Sequence, residues 1–286
     1  MSKIEKALNR AAAERKTAIT RPAALSSDDR QLPVFQPAMV ETPIASGSAS
    51  SIARMAEPTP RNIGELQHLG VVSPAMGENP VVKSFRETRT KILQKTGGRN
   101  GVVMVAAVTG GNGASFVALN LSAAFAFDVG KTALLIDCNL KRPSLQRFFT
   151  KTPTKGLVDF LDGGKIDVSE IIHSVGVDRL RVIPAGSRND KHGEYFTSAK
   201  MKSLIGALRA RYPERFIILD APSVLESADT QILGELCDYV VLVVPYGAVT
   251  NLDIERAVKA IDRNKLIGFV FNNEPNLPPL RQLWHK

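Results

Sequence analysis

Residues 102–120, VVMVAAVTGGNGASFVALN, constrain this chain more than any other stretch. The β-branched residues Val102, Val103, Val105 and Val108 make an apolar run that predicts a buried parallel strand. Gly110, Gly111 and Gly113 then predict a loop, and Ser115 opens a helix. In the usual pattern GxxxxGK[ST], glycines let backbone N–H groups wrap phosphates, the Lys reaches the β and γ oxygens, and the Ser or Thr hydroxyl holds Mg²⁺. Here Ala114 occupies the Lys position and Val108 replaces the first Gly. A buried phosphate without its cationic partner costs on the order of 3–5 kcal/mol, and the same charge is needed while a phosphoryl group is in flight. The loop therefore predicts a nucleotide site built from Gly110, Gly111, Asn112, Gly113, Ala114 and Ser115, and leaves its catalytic power open.

The rest of the chain supplies a fold for that loop. Strands are predicted at 102–108, 132–137, 180–183, 216–220, 239–244 and 266–271, with helical patterns in most intervals, which argues for an α/β protein with a doubly wound, mostly parallel sheet. Ligands bind outside the carboxyl ends of such strands. The second predicted strand ends at Asp137 and the fourth at Asp220, where carboxylates beside a phosphate loop hold Mg²⁺ or its water shell. Taken with the loop, they predict a nucleotide site, with Ser115, Asp137 and Asp220 around Mg²⁺ or its water shell if nucleotide binding is retained, and no cofactor otherwise.

Ahead of this domain the chain differs in composition. Ser2 and Glu5 have capping-box spacing, and Ile4, Leu8, Ala11 and Ala12 recur at helical intervals among basic residues, so 1–16 is predicted to be an amphipathic helix. Residues 17–80 are rich in Ala, Ser and Pro and are predicted to be a flexible linker. The folded domain is expected over 81–273, with a short tail at 274–286. The 37 Lys and Arg against 28 Asp and Glu give a formal charge of +9, which suits an acidic membrane surface, a nucleic acid or an acidic protein. Aromatics are only 6% of the residues and are not interleaved with a basic patch, so no nucleic-acid partner is expected. No apolar stretch approaches the ~18 residues of a membrane span and no signal-peptide plan opens the chain, so it is expected to be cytosolic. Cys138 and Cys237 read as buried thiols, and the four histidines have no metal spacing.

Several motifs, in order, resemble the bacterial tyrosine autokinases of capsule and exopolysaccharide assembly, within the deviant Walker superfamily that also holds MinD and ParA. LLIDCNLKRPSL at 134–145 resembles the family's second Walker motif, an apolar run followed by DxDxR, and FIILDAPSVLESADTQIL at 216–233 its Walker B strand and loop. KSFRETRTKI at 83–92 resembles the helix used for subunit contacts, which implies contact roles for Arg86 and Arg89. RVIPAG at 181–186 and LIGFVFNN at 266–273 match flanking signatures, the latter implying a nucleotide contact at Asn273. The N-terminal SKIEKAL together with LRARYPERFIILD further resembles the subgroup encoded with exosortase-linked exopolysaccharide loci.

The resemblance implies an Mg-ATP-dependent autokinase that forms homo-oligomers, phosphorylates tyrosines in its own tail and cycles with a membrane co-polymerase controlling polysaccharide chain length. It would lie at the inner face of the cell membrane through that partner, with Asp137 and Asp220 catalytic. This chain departs from the pattern at Ala114, at Thr109 where MinD and ParA carry a second lysine, at Asn139 and Lys141 within DxDxR, and at Lys83 where an acidic residue opens the contact helix. Its tail contains no tyrosine, and only Tyr195, Tyr212, Tyr239 and Tyr246 exist. Three readings follow: a degenerate kinase-like protein acting by binding and assembly, an active autokinase using substitute charges, and a positioning ATPase like MinD or ParA.

Overall fold

The computed structural model describes residues 59–149, 151–163, 165–187 and 192–274. Seven strands form one sheet: β1 (Val102–Ala107), β2 (Thr132–Asp137), β3 (His173–Ser174), β4 (Leu180–Ile183), β5 (Arg215–Asp220), β6 (Tyr239–Pro245) and β7 (Leu266–Asn272). Their order is β3-β4-β2-β5-β1-β6-β7. Every pairing is parallel except that of β3 with β4. All six predicted strands are present. The short β3 carried no readable signal, because two residues cannot display a period.

The central strands are apolar at consecutive positions because both faces are covered. Along β1, Val103 and Val105 join one core with Leu135, Ile218 and Val243, while Val102 and Met104 join the opposite core with Ile136, Leu219 and Leu242. The first core is roofed by α2 (Pro80–Thr96) and α3 (Ala114–Ala126). Positions 117–126 of α3 are all buried, so this helix lacks the polar stripe of a surface helix and is enclosed from several sides. Phe125 stacks on Phe216 of β5 with centroids 4.1 Å apart, fixing α3 against the sheet. The opposite core is covered by α4 (Leu157–Leu161), α5 (His192–Thr197), α6 (Ala199–Arg211), α7 (Asp229–Leu236) and α8 (Asn251–Ala260).

The predicted linker is too long at its carboxyl end. Residues 59–80 belong to the folded unit: Asn62 and Glu65 form a capping box for α1 (Ile63–His68), and Leu66, Val71 and Val72 are buried. Asn120, buried in α3, accepts from the Val72 amide at 2.7 Å and donates to the Gly70 carbonyl at 2.9 Å. Three buried side chains are diluted by the surrounding Pro, Ser and Gly, so composition averages them away. The predicted helix at 1–16, the linker before residue 59 and the tail after residue 274 lie outside the described residues.

Candidate functional site

The glycine loop leaves β1 and enters α3 over Val108–Gly113. Asn112 Nδ2 donates to the Thr109 carbonyl at 2.9 Å and to its Oγ1 at 2.6 Å, closing the loop on itself. Asn272, at the end of β7, donates to the Asn112 carbonyl at 3.0 Å. Gly113 combines φ +84° with a position where a Cβ would meet the Asn272 side chain, so any other residue is strained there. Gly113 is also the N-cap of α3 and supplies no side-chain acceptor, and the first turn contains no acidic residue. The first amides of α3 therefore keep donors available for an anion.

Asp137 and Asp220 face each other in register at the carboxyl ends of adjacent strands. They are 1% and 0% exposed. Asp137 accepts from the Asn139 amide at 3.1 Å and the Leu145 amide at 3.5 Å. Burial nevertheless pushes its carboxyl up from 3.8 to about 7. Burial, and then the charge of Asp137, push Asp220 well above the usual carboxylate range, with the Ser115 hydroxyl pulling the other way. Neither Asp220 oxygen has a partner of good hydrogen-bond geometry. Two adjacent buried carboxylates resist joint ionisation unless a cation lies between them. Orphaned oxygens of this kind fit Mg²⁺, which takes one or two carboxylates and completes its shell with water and phosphate. Its own burial, and then the charges of Asp137 and Asp220, push the Cys138 thiol up, keeping it a thiol as expected.

A cavity of about 300 Å³ opens between the loop and the segment after β2. Thr109–Ser115 form one wall and Asn139, Arg142, Ser144 and Arg147 another, and among the described residues no carboxylate lines it. Ala114 does line it, where the pattern expects a lysine. Lys141 is directed elsewhere, 3.9 Å from Asp229. At the loop's outer side, Glu226 Oε1 accepts from the Gly110 amide at 2.7 Å, so an exposed carboxylate of the same chain already occupies one of the loop's backbone donors. Glu226→Gln removes the negative charge beside an incoming phosphate while leaving a neutral acceptor. Affinity for Mg-ADP, read by calorimetry, should rise about threefold to tenfold; a fall would show that Glu226 organises the loop instead.

Comparison with known proteins agrees with this geometry. No protein-family model matches the chain. It is 31% identical over 205 residues to EpsB of Ralstonia solanacearum, assigned as a tyrosine-protein kinase, with 70% of this chain and 26% of EpsB covered. It is 29% identical over 217 residues to the tyrosine-protein kinase YwqD of Bacillus subtilis, covering 75% of this chain and 90% of YwqD. Among solved structures, the BceF tyrosine kinase domain superposes with a TM-score of 0.62 at 26% identity, over 77% of this chain and 93% of that domain. The folded domain is a P-loop domain of the bacterial tyrosine-kinase family. The chain spans about a quarter of the length of EpsB.

Within this kinase-family domain the inferred site residues separate into groups. Gly110–Ser115 share one cavity, with Asp137 and Asp220 buried at the adjoining strand ends. Asn273, in the left-handed region at φ 61°, instead lines a second cavity of about 570 Å³ with Val81, Phe85 and Phe271, across Gly111 and Gly113 from the first. Its neighbour Asn272 lines that cavity too and hydrogen-bonds the loop. Arg86 is exposed. Arg89 is not equally free: it donates to the Ala124 carbonyl at 3.0 Å and lies 3.7 Å from Asp128, completing the carboxyl end of α3 within its own chain. Helical spacing placed Arg86 and Arg89 on one stripe but carried no information on where α3 ends. Glu226 and Asn272, which hydrogen-bond the loop, and Arg147, which lines its cavity, were missed because each comes from a distant element and no local pattern marks them.

Proposed function

We propose that this chain is a degenerate tyrosine-autokinase-like protein of capsule or exopolysaccharide biosynthesis. It binds nucleotide at the glycine loop and works by assembly, as a homo-oligomer and through a membrane co-polymerase that sets chain length, at the inner face of the membrane. The observation that supports the reading is the loop and its surroundings: the glycine-loop cavity is formed and a buried carboxylate pair lies at the adjoining strand ends, while the position that should bring a cation to the β and γ oxygens is Ala114. Asp137, Asp220 and Ser115 would hold Mg²⁺, which supplies charge neutralisation when bound. Phosphoryl transfer depends on positioning and charge stabilisation. Loss of the lysine, and of the second DxDxR carboxylate where Asn139 stands, removes much of it.

The acceptor side of the reaction is reduced as well. Tyr195 is 6% exposed with its hydroxyl on Asp162 at 3.0 Å, the Tyr212 ring is covered by Arg215 at 3.7 Å, and Tyr239 packs against a core. Tyr246, 51% exposed, is the accessible acceptor. The test is ATP turnover and phosphotyrosine content of the purified protein with and without Mg²⁺. Nucleotide binding with hydrolysis near background and little phosphotyrosine is expected. Robust Mg²⁺-dependent turnover, abolished by Asp220→Ala, would sink the degenerate reading in favour of an active autokinase.

A further inference from the structure

The cation absent from the loop has a counterpart on the facing wall of the same cavity. The 3-10 turn Leu145–Phe148 is anchored there at both ends. The Leu145 amide donates to Asp137 Oδ2 at 3.5 Å, and Arg61 Nη2 donates to the Phe148 carbonyl at 2.9 Å. The Leu145 and Phe148 side chains are buried, at 1% and 3% exposed, which leaves Arg147 projecting from a fixed backbone. Its guanidinium lies 4.7 Å from the Phe148 ring centroid, a contact that limits its rotamers while leaving the N–H groups available. Arg147 lines the cavity with the glycine loop, Arg142 lines it from the preceding segment, and neither has an ion-pair partner among the described residues. Ser144 Oγ, on the same wall, is buried without a hydrogen-bond partner.

We propose that Arg147, with Arg142 beside it, holds the terminal phosphates of a bound nucleoside di- or triphosphate in place of the loop lysine. This rests on the reading of the cavity as a nucleotide site. A guanidinium offers a planar fork matched to two phosphate oxygens, and it reaches them from the wall opposite the loop amides. The phosphates are then held from two sides. Binding survives the loss of the lysine, but the charge no longer rides on the loop that tracks the transferring group. Arg147 is thus a binding and specificity residue that favours di- and triphosphates over a monophosphate.

The experiment is calorimetric titration of the full chain with Mg-ADP and with inorganic pyrophosphate, alongside thermal melts. The proteins are wild type, Arg147→Gln, Ala114→Lys and the Arg147→Gln/Ala114→Lys double variant. Arg147→Gln should weaken both ligands at least tenfold with an unchanged melt and a shallower salt dependence. Lysine at 114 in that background should restore affinity to within about threefold of wild type, a rescue that a merely structural role for Arg147 would not permit. Wild-type affinity in Arg147→Gln, or a loss that lysine at 114 fails to restore, overturns the inference while leaving the nucleotide site standing. Failure of wild type and Ala114→Lys alike to bind either ligand overturns the nucleotide reading and this inference with it.

Discussion

Ala114→Lys should tighten Mg-ADP binding tenfold or more, about 1.4 kcal/mol for each factor of ten. Ala114 is the first residue of α3 and lines the cavity, so a four-carbon stem there extends among the loop amides without displacing the core. The rest of the cradle is in place: Gly113 has its left-handed backbone, Asn112 is held by Thr109 and Asn272, and the carboxylate pair lies at the strand ends. The gain should be larger in the Arg147→Gln background, because two cations facing one phosphate are not additive. The check is the titration of the single and double variants at one ionic strength. Unchanged or weaker binding would mean that the loop has lost its phosphate-binding shape along with its charge.

Metal-free protein should lose stability as the pH rises from about 4 toward 8. The Asp137 carboxyl titrates near 7 in the folded chain and near 3.8 when exposed. Between those values the native state keeps a proton that the unfolded chain has released, so stability is full below the lower value and falls as the pH climbs through the upper one. Asp167, Glu170 and Asp253 are shifted downward by their hydrogen bonds and act in the opposite sense only at more acid pH, outside a 5–8 window. Asp220→Asn removes the carboxyl that burial and the charge of Asp137 hold protonated in the folded chain and leaves an amide that does not titrate. At pH 8 without Mg²⁺ it should stabilise the protein by roughly 2 kcal/mol, since a buried carboxylate without a counter-charge is costly. Denaturant midpoints across the window would show it, and subtracting the variant curve from the wild-type curve cancels the histidines. A wild-type midpoint that rises between pH 5 and 8, or an Asp220→Asn that destabilises at pH 8, would show that the pair is already neutralised within the protein. Mg²⁺ should raise the wild-type midpoint at pH 8 and leave that of Asp220→Asn nearly unchanged.

Local chemistry made the sheet readable. Alternating strands and helices, continuous Val, Ile and Leu runs and punctuating glycines depend on neighbours within about ten residues, and they placed the strands 102–107, 132–137 and 215–220 with errors of a residue at most. The ends of those strands carried the site with them, because a doubly wound sheet brings the carboxyl ends of its strands to one edge. That is why Gly110–Ser115, Asp137 and Asp220 were all legible. The absent lysine was legible for the same reason, since it is one letter in a short motif.

Tertiary structure decided everything that joins distant segments. The sequence alone determined a glycine loop with Ala114 at the lysine position of the pattern, and two strand-end carboxylates, on a parallel sheet. Only the fold decided that Arg147 shares the loop's cavity while Lys141 turns to Asp229, that Glu226 reaches the Gly110 amide across 116 positions, that Asn272 hydrogen-bonds the loop, and that Arg89 is consumed at the end of α3. It also decided that residues 59–80 are structural, through a buried Asn120 whose amide pairs with their backbone. Backbone periodicity follows from each residue's own geometry and its near neighbours. The direction a long side chain takes depends on which remote carbonyl, carboxylate or ring the packed chain puts within its reach.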